Sequence, residues 1–238
     1  MARRRRWIVA IAAAVSLLIA AAGVAAWFVF GGEAPAPAAL TTLPSSTSTP
    51  GSSDPLDGNW TIDSTSGSLA DGSSTYAGYR VEEEVSGFGA NTAVGRTQNV
   101  SGSMTIEGMS ITALDVTVDM TTLQSDRAQR DEQLRERGLE TDRFPTAAFT
   151  LTQPIQVGHR PTDGEPIELT AVGNLMLHGV TKQVSVPVQA AISGGRIQAV
   201  ASLDVALVDY AIEKPTGLLI LSIADTGTIE LHLLFEKS

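Results

Sequence analysis

The 238-residue sequence predicts an all-β domain carried behind an N-terminal membrane segment. Three observations predict it. Apolar residues alternate with period two in at least four separate stretches. Gly-containing turns separate those stretches. The first thirty residues join an arginine cluster to an apolar run long enough to cross a bilayer.

The N-terminus comes first. Arg3, Arg4, Arg5 and Arg6 precede an apolar run over 7–30 in which only Ser16 is polar. Roughly 20 apolar residues at 1.5 Å rise span a ~30 Å hydrocarbon core. Trp7, Trp27 and Phe28 stand near its ends, as interfacial aromatics do. The arginines place the N-terminus in the cytoplasm and the rest outside. A cleaved signal peptide has an apolar stretch of about 7–15 residues, so an uncleaved signal anchor fits better. Ala36-Pro37-Ala38 keeps cleavage, and so a secreted domain, open as the alternative.

Residues 31–56 carry Pro35, Pro37, Pro44, Pro50 and Pro55 among Ser/Thr clusters. Such a composition buries no core and predicts an extended, mobile stalk. The domains are thus 1–30 (arginine cluster and anchor), 31–56 (linker) and 57–238 (β-domain).

In the β-domain, Leu114, Val116, Val118 and Met120 alternate with polar or small residues. So do Val184, Val186, Val188, Ala190 and Ile192, then Ile197, Ala199, Ala201, Leu203 and Val205. The last stretch has Ile229, Leu231, Leu233 and Phe235 against Thr228, Glu230, His232 and Glu236. One apolar and one wet face per strand marks antiparallel sheet. Weaker candidates are 75–86, 97–107, 146–157 and 167–177. Glu107-Gly108, Ser193-Gly194-Gly195 and Thr226-Gly227 supply turns. About eight strands of this kind build a sandwich or a closed up-and-down barrel. Pro187, on a polar face, predicts a strand edge or bulge. Residues 126–137 break the pattern with strong helix formers, Asp126 and Gln129 in capping-box positions, and Gly138 as a stop. Asp126–Arg130 and Asp131–Arg135 are favourable i,i+4 pairs.

Charge and composition exclude several classes. There is no cysteine, so no disulfide framework and no Cys-ligated metal. Four of the 16 cations and two of the 26 acids precede residue 56, leaving 12 against 24 and a net charge of −12 on the rest. Phosphate backbones repel such a surface, so nucleic acid is not the partner. His159, His178 and His232 share no metal-ligand spacing, and no G-x-S-x-G elbow occurs. The residues predict neither catalysis nor a cofactor or metal. Glu82, Glu83 and Glu84 read as solvated strand charges; an inward Glu83 or Glu82 touching a ligand is the minority reading. Five arginines between 126 and 143 read first as a salt-bridged surface helix. The alternative puts one or two of them, with Arg127 and Arg130 as candidates, at a barrel mouth where they meet a phosphate or carboxylate headgroup.

Several motifs are familiar in order and spacing: Trp60-Thr61-Ile62-Asp63, Tyr79-Arg80-Val81, Val94-Gly95-Arg96-Thr97 and Val100-Ser101-Gly102-Ser103-Met104. Leu123-Gln124-Ser125-Asp126 then runs into Arg130-Asp131-x-x-Leu134. Phe144-Pro145-x-x-x-Phe149 and Gly173-x-Leu175-x-x-His178-Gly179-Val180-Thr181-Lys182 follow. Together they resemble the YceI-like family, over about residues 57–237. The resemblance implies a lipocalin-like extended antiparallel β-barrel of about eight strands with one short helix beside it. It also implies a polyisoprenoid or other long-chain amphiphile as ligand. The family often carries His-Ser after its opening W-x-x-D and an F-x-V-x-H run in the next strand. Here Ser64-Thr65-Ser66 and Tyr79-Arg80-Val81-Glu82-Glu83 stand in those places.

A barrel with few aromatics to fill it, and with Ala199, Ala201 and Gly173 near its inner faces, has spare volume. Strand parity assigns Val81, Met104, Val116, Val118, Phe149, Leu175, Val186 and Leu203 to the interior. The expected function is lipid binding close to a membrane, as carrier or sequestering protein. The rivals are a solid-cored scaffold working through protein contacts and, third, a lipid-modifying enzyme using His178 and Glu83. The acidic surface suits a monomer or a homodimer.

Overall fold

The computed structural model describes residues 34–41, 56–87, 89–215 and 220–238. The anticipated membrane run at 7–30 lies outside the described residues. Among the described residues, no helix is long and apolar enough to cross a membrane.

Twelve strands form among the described residues: β1 (Gly58–Ile62), β2 (Tyr76–Val85), β3 (Gly89–Thr97), β4 (Val100–Glu107), β5 (Ser110–Asp119) and β6 (Gln124–Ser125) come first. Then follow β7 (Thr146–Leu151), β8 (Ile155–Gln156), β9 (Ile167–Leu177), β10 (Val180–Ser193), β11 (Arg196–Ala206) and β12 (Ile220–Lys237). Eight of them close a ring in the order β1-β4-β5-β7-β9-β10-β11-β12, with β12 returning to β1. Every pairing in the ring is antiparallel. The alternation therefore resolves to a closed barrel rather than a sandwich. Closure removes the exposed edges that an open sheet would present.

β12 holds the ring together because it is long. Its last residues pair with β1, while its earlier part pairs with β2, through register shifts at Ile220/Ser222 and Ile223/Gly227. Such bulges bend a strand and raise its twist. From there β2, β3 and β6 extend one side of the barrel. The β10–β11 turn has Gly194 and Gly195 both at positive φ, as a two-residue type I′ hairpin requires. Pro187 pairs with Thr170 of β9, and β11 engages β10 only from Val188 onward. The missing N–H of the proline thus sits where β10 has no partner on that side.

The helical segment runs from Ala128 to Gln133 (α1) and continues as a wider turn, Leu134–Gly138. Its start differs from expectation. Arg127 is the cap residue, and its side chain makes no capping bond to the helix backbone. The Asp126 carboxylate is drawn instead to the Arg130 guanidinium, the anticipated i,i+4 pair. Asp131 does not meet Arg135. It accepts from the Ser125 N–H at 2.9 Å and its hydroxyl at 2.6 Å, and Arg135 pairs with Glu132. Asp131 thereby ties α1 back to β6.

Part of the anticipated stalk is not free. Residues 34–41 lie on the outside of the barrel, where Arg80 donates to the Pro35 carbonyl at 2.6 Å and Arg96 donates to that of Ala36. The Thr41 hydroxyl meets the Gln198 amide at 2.7 Å. Beneath this strap, Glu230 accepts from Arg80 at 3.2 Å and Arg96 at 3.4 Å. His232 Nδ1 donates to the Ser74 carbonyl at 2.7 Å, and its Nε2 lies 2.6 Å from the Gln198 amide. Glu230, Gln198 and His232 are among the most deeply buried side chains of the described residues. The expected wet face of β12 is dry here, because strap and loop cover it.

Candidate functional site

The barrel interior contains two chambers, of about 140 and 160 Å³. A water needs only about 10–15 Å³, so neither is a packing fault, and an apolar cavity of roughly 150 Å³ accepts a benzene-sized guest. Val116, Phe149, Leu175, Ile229 and Leu231 line both. The chambers are therefore successive parts of one interior.

Their chemistry differs. In chamber one, Ser202 is the sole lining residue with a polar side chain, among the described residues. Ala199 and Ala201 leave room there, as anticipated. Gly173 does not: any side chain at 173 would collide with the Phe149 ring, which fills the space. Chamber two is capped by α1 and has a polar end, where Tyr79, Glu83, Arg130 and Gln133 join the lining.

Parity explains how Glu83 comes to face inward. Tyr79, Val81 and Glu83 alternate along β2, and they pair with Ile229, Gly227 and Ile223 of β12. Glu83 is buried while Glu82 and Glu84 are exposed. The preferred reading of three solvated charges therefore fails for the middle one, because α1 closes over it. Arg130 donates to Glu83 at 2.7 Å, and Asn91 donates to the same oxygen at 2.7 Å. The Tyr79 ring lies over Gly95, the one residue type that admits it. Its hydroxyl is buried without a hydrogen-bond partner. Burial raises its ionisation well above the usual phenol range, against the opposing pull of Arg130. It stays a hydrogen-bond donor.

The residues chosen from sequence fall as follows. Met104, Val186 and Leu203 line chamber one; Val81 and Val118 line chamber two; Val116, Phe149 and Leu175 line both. Arg130 lines chamber two, whereas Arg127 lines neither chamber and sits 3.4 Å from Asp126. Sequence reasoning held an inward Glu83 only as the minority alternative and left Tyr79, Ile229 and Leu231 out of the lining. The parity that selected Val81 also selects Tyr79 and Glu83, so the signal was present. His178 lines no chamber. Its Nδ1 donates to the Tyr210 carbonyl at 2.9 Å and its Nε2 lies 3.0 Å from Glu140. Glu83, bound to Arg130 and Asn91, is not its partner. Among the described residues no group of three or more acids and histidines is arranged to hold a metal.

The YceI-like domain family matches residues 60–235. The chain belongs to the YceI-like family. Curated relatives include a UPF0312 protein of Vibrio vulnificus, 34% identical over 106 residues, which are 43% of this chain and 52% of the relative. Protein YceI of Shigella flexneri is 29% identical over 126 residues, 48% of this chain and 62% of the relative. The chain thus spans about half the length of the curated relatives it matches. Among solved structures, a polyisoprenoid binding domain from Saccharophagus degradans superposes with a TM-score of 0.57 at 17% identity, covering 75% of this chain and 98% of that one. BcnA of Burkholderia cenocepacia gives 0.52 at 18% identity, covering 70% and 98%. These likenesses show the YceI-like fold.

Proposed function

We propose that this protein is a membrane-anchored, extracytoplasmic lipid-binding protein that holds a long-chain isoprenoid or similar amphiphile inside its barrel, with no chemical step. The observation that carries the proposal is the continuous two-chamber interior, apolar at one end and polar at the other. Burying a ten-carbon stretch there contributes on the order of 8 kcal/mol at about 0.8 kcal/mol per CH₂. After association costs this supports roughly micromolar affinity without any polar contact. The polyisoprenoid-binding domain of like fold supports the ligand class. The arginine cluster and the 7–30 run support the anchor and the orientation, with the N-terminus inside and the barrel outside. Carriage or sequestration is the role that such a site performs.

The test is native mass spectrometry of the full chain released from membranes, followed by denaturation and identification of any small molecule. A near-stoichiometric isoprenoid or long-chain amphiphile is the expected result. A bare mass, unchanged after incubation with lipid extract, overturns lipid binding and favours a scaffold acting through protein contacts.

A further inference from the structure

The polar end of chamber two says more about the ligand than its length does. Among the described residues that line it, two are cations, Arg80 and Arg130. Arg80 spends its guanidinium on the outside of the barrel, on Glu230 and the Pro35 carbonyl. Arg130 alone faces the chamber, and its charge is already matched. One nitrogen donates to Glu83 at 2.7 Å, and the other is held by Asp126. Glu213 adds a further carboxylate to the chamber's exposed rim. An incoming anion would therefore meet one neutralised guanidinium and a surplus of carboxylates. A phosphate site is built the other way, with uncompensated arginine or backbone donors.

We propose that Glu83 makes the polar end of chamber two reject phosphorylated lipids, so that the head it admits is an uncharged hydrogen-bonding group such as an alcohol. This rests on the lipid-binding reading above and adds a direction: the tail lies toward chamber one. The geometry supports each part. Chamber one has a single polar side chain, so it offers a charged or hydrogen-bonding head nothing. The Glu83–Arg130 pair presents both an acceptor and a donor at the polar, α1-capped end of chamber two, which suits a hydroxyl or a carbonyl equally. The unused Tyr79 hydroxyl lies at the same end, close enough to Arg130 and Glu83 to feel both charges. Buried, compensated charges of this kind discriminate mainly by repulsion. The partner they exclude loses more than the partner they accept gains.

The experiment uses the full chain in phospholipid nanodiscs and displacement of a fluorescent long-chain alcohol. The competitors are geranylgeraniol and geranylgeranyl phosphate, which share one tail. They are compared on the native chain and on Glu83→Gln, which keeps an amide oxygen for Arg130 and Asn91 while removing the charge. Partitioning into the bilayer is the same for both proteins and cancels in the ratio. On the native chain the alcohol is expected to compete at least about tenfold better than it does relative to the phosphate on Glu83→Gln, with the change arising from tighter phosphate binding. Asp126→Asn, at a carboxylate more than half exposed, removes charge beside the same guanidinium without touching the core, and is expected to shift the ratio in the same direction by about threefold. If Glu83→Gln melts early, Asp126→Asn still decides. An unchanged ratio in both variants, or a native chain that prefers the phosphate, overturns the headgroup proposal while leaving lipid binding intact. Absence of saturable probe binding to the native chain instead overturns lipid binding itself.

Discussion

The two faces of β12 are built from opposite chemistry, and the polar outward face is the more deeply buried. Inward, Ile229, Leu231 and Leu233 line the chambers. Outward, Glu230 and His232 are sealed beneath the strap at 34–41 and the loop that carries Ser74. The inner face is covered by empty space and other apolar side chains, so it tolerates a guest. The outer face is covered by hydrogen bonds, so each group there depends on its partner. Alternation tells which face a residue takes, but not whether that face meets water.

The largest expected effect breaks the outer face. Glu230→Ala strands Arg96 and Arg80 in a buried site and should cost about 3–5 kcal/mol, measured by denaturant unfolding. Leu231→Ala, on the inner face, should cost nearer 2 kcal/mol, because its side chain already borders a cavity rather than packed atoms. If the leucine variant proves the more damaging of the two, the contrast between the faces is wrong.

Acid sharpens the same contrast, since the titrating groups lie on the outside. Burial lowers the proton affinity of His232 below its ordinary 6.5, opposed by its bond to Ser74. The unfolded chain then binds more protons than the folded one as pH falls through 6.5, so stability declines toward lower pH. His232→Gln should flatten that decline in melting curves recorded from pH 7.5 to 5. At Asp63, burial would raise the carboxyl, but bonds from Ser66 and Thr65 overcome this and bring it down to about 2. Its contribution is complete above 3.8 and is lost as pH falls toward 2, so Asp63→Asn should remove the steepest part of the acid limb.

Smaller effects follow. Thr41→Val removes one strap contact and should cost about 1 kcal/mol, with faster proteolysis between the strap and the barrel as its signature. Arg135→Ala breaks an exposed pair with Glu132 and should change stability by less than about 0.5 kcal/mol.

The strands whose apolar residues alternate most cleanly, β5, β10, β11 and the end of β12, were legible at once. The weaker stretches became β2, β4, β7 with β8, and β9. β3 was not legible. Its sequence, GANTAVGRT, is poor in large apolar residues, because Gly95 must lie under the Tyr79 ring and Arg96 must reach outward to Glu230. The apolar lining was readable from parity. The polar end of chamber two was not, since nothing local tells that α1 folds over Glu83 and supplies Arg130 from 47 residues away. The strap was hidden for the same reason. A Pro-rich composition rules out a core of its own but says nothing of a groove prepared elsewhere to receive it.

That strap alters how load passes through the molecule. Thr41 is fastened to Gln198, and the Leu56 carbonyl is fastened by the indole of Trp60. The barrel therefore does not feel a pull from the N-terminal side directly. Tension arrives first at Pro35 and Ala36, on bonds from Arg80 and Arg96. Those bonds shear before any strand of the ring is loaded. Once they part, the eight strap residues alone lengthen the path by up to about 27 Å, at ~3.4 Å per residue. In a chain anchored as proposed, the strap is a two-position leash, short while it is seated and long once it lets go.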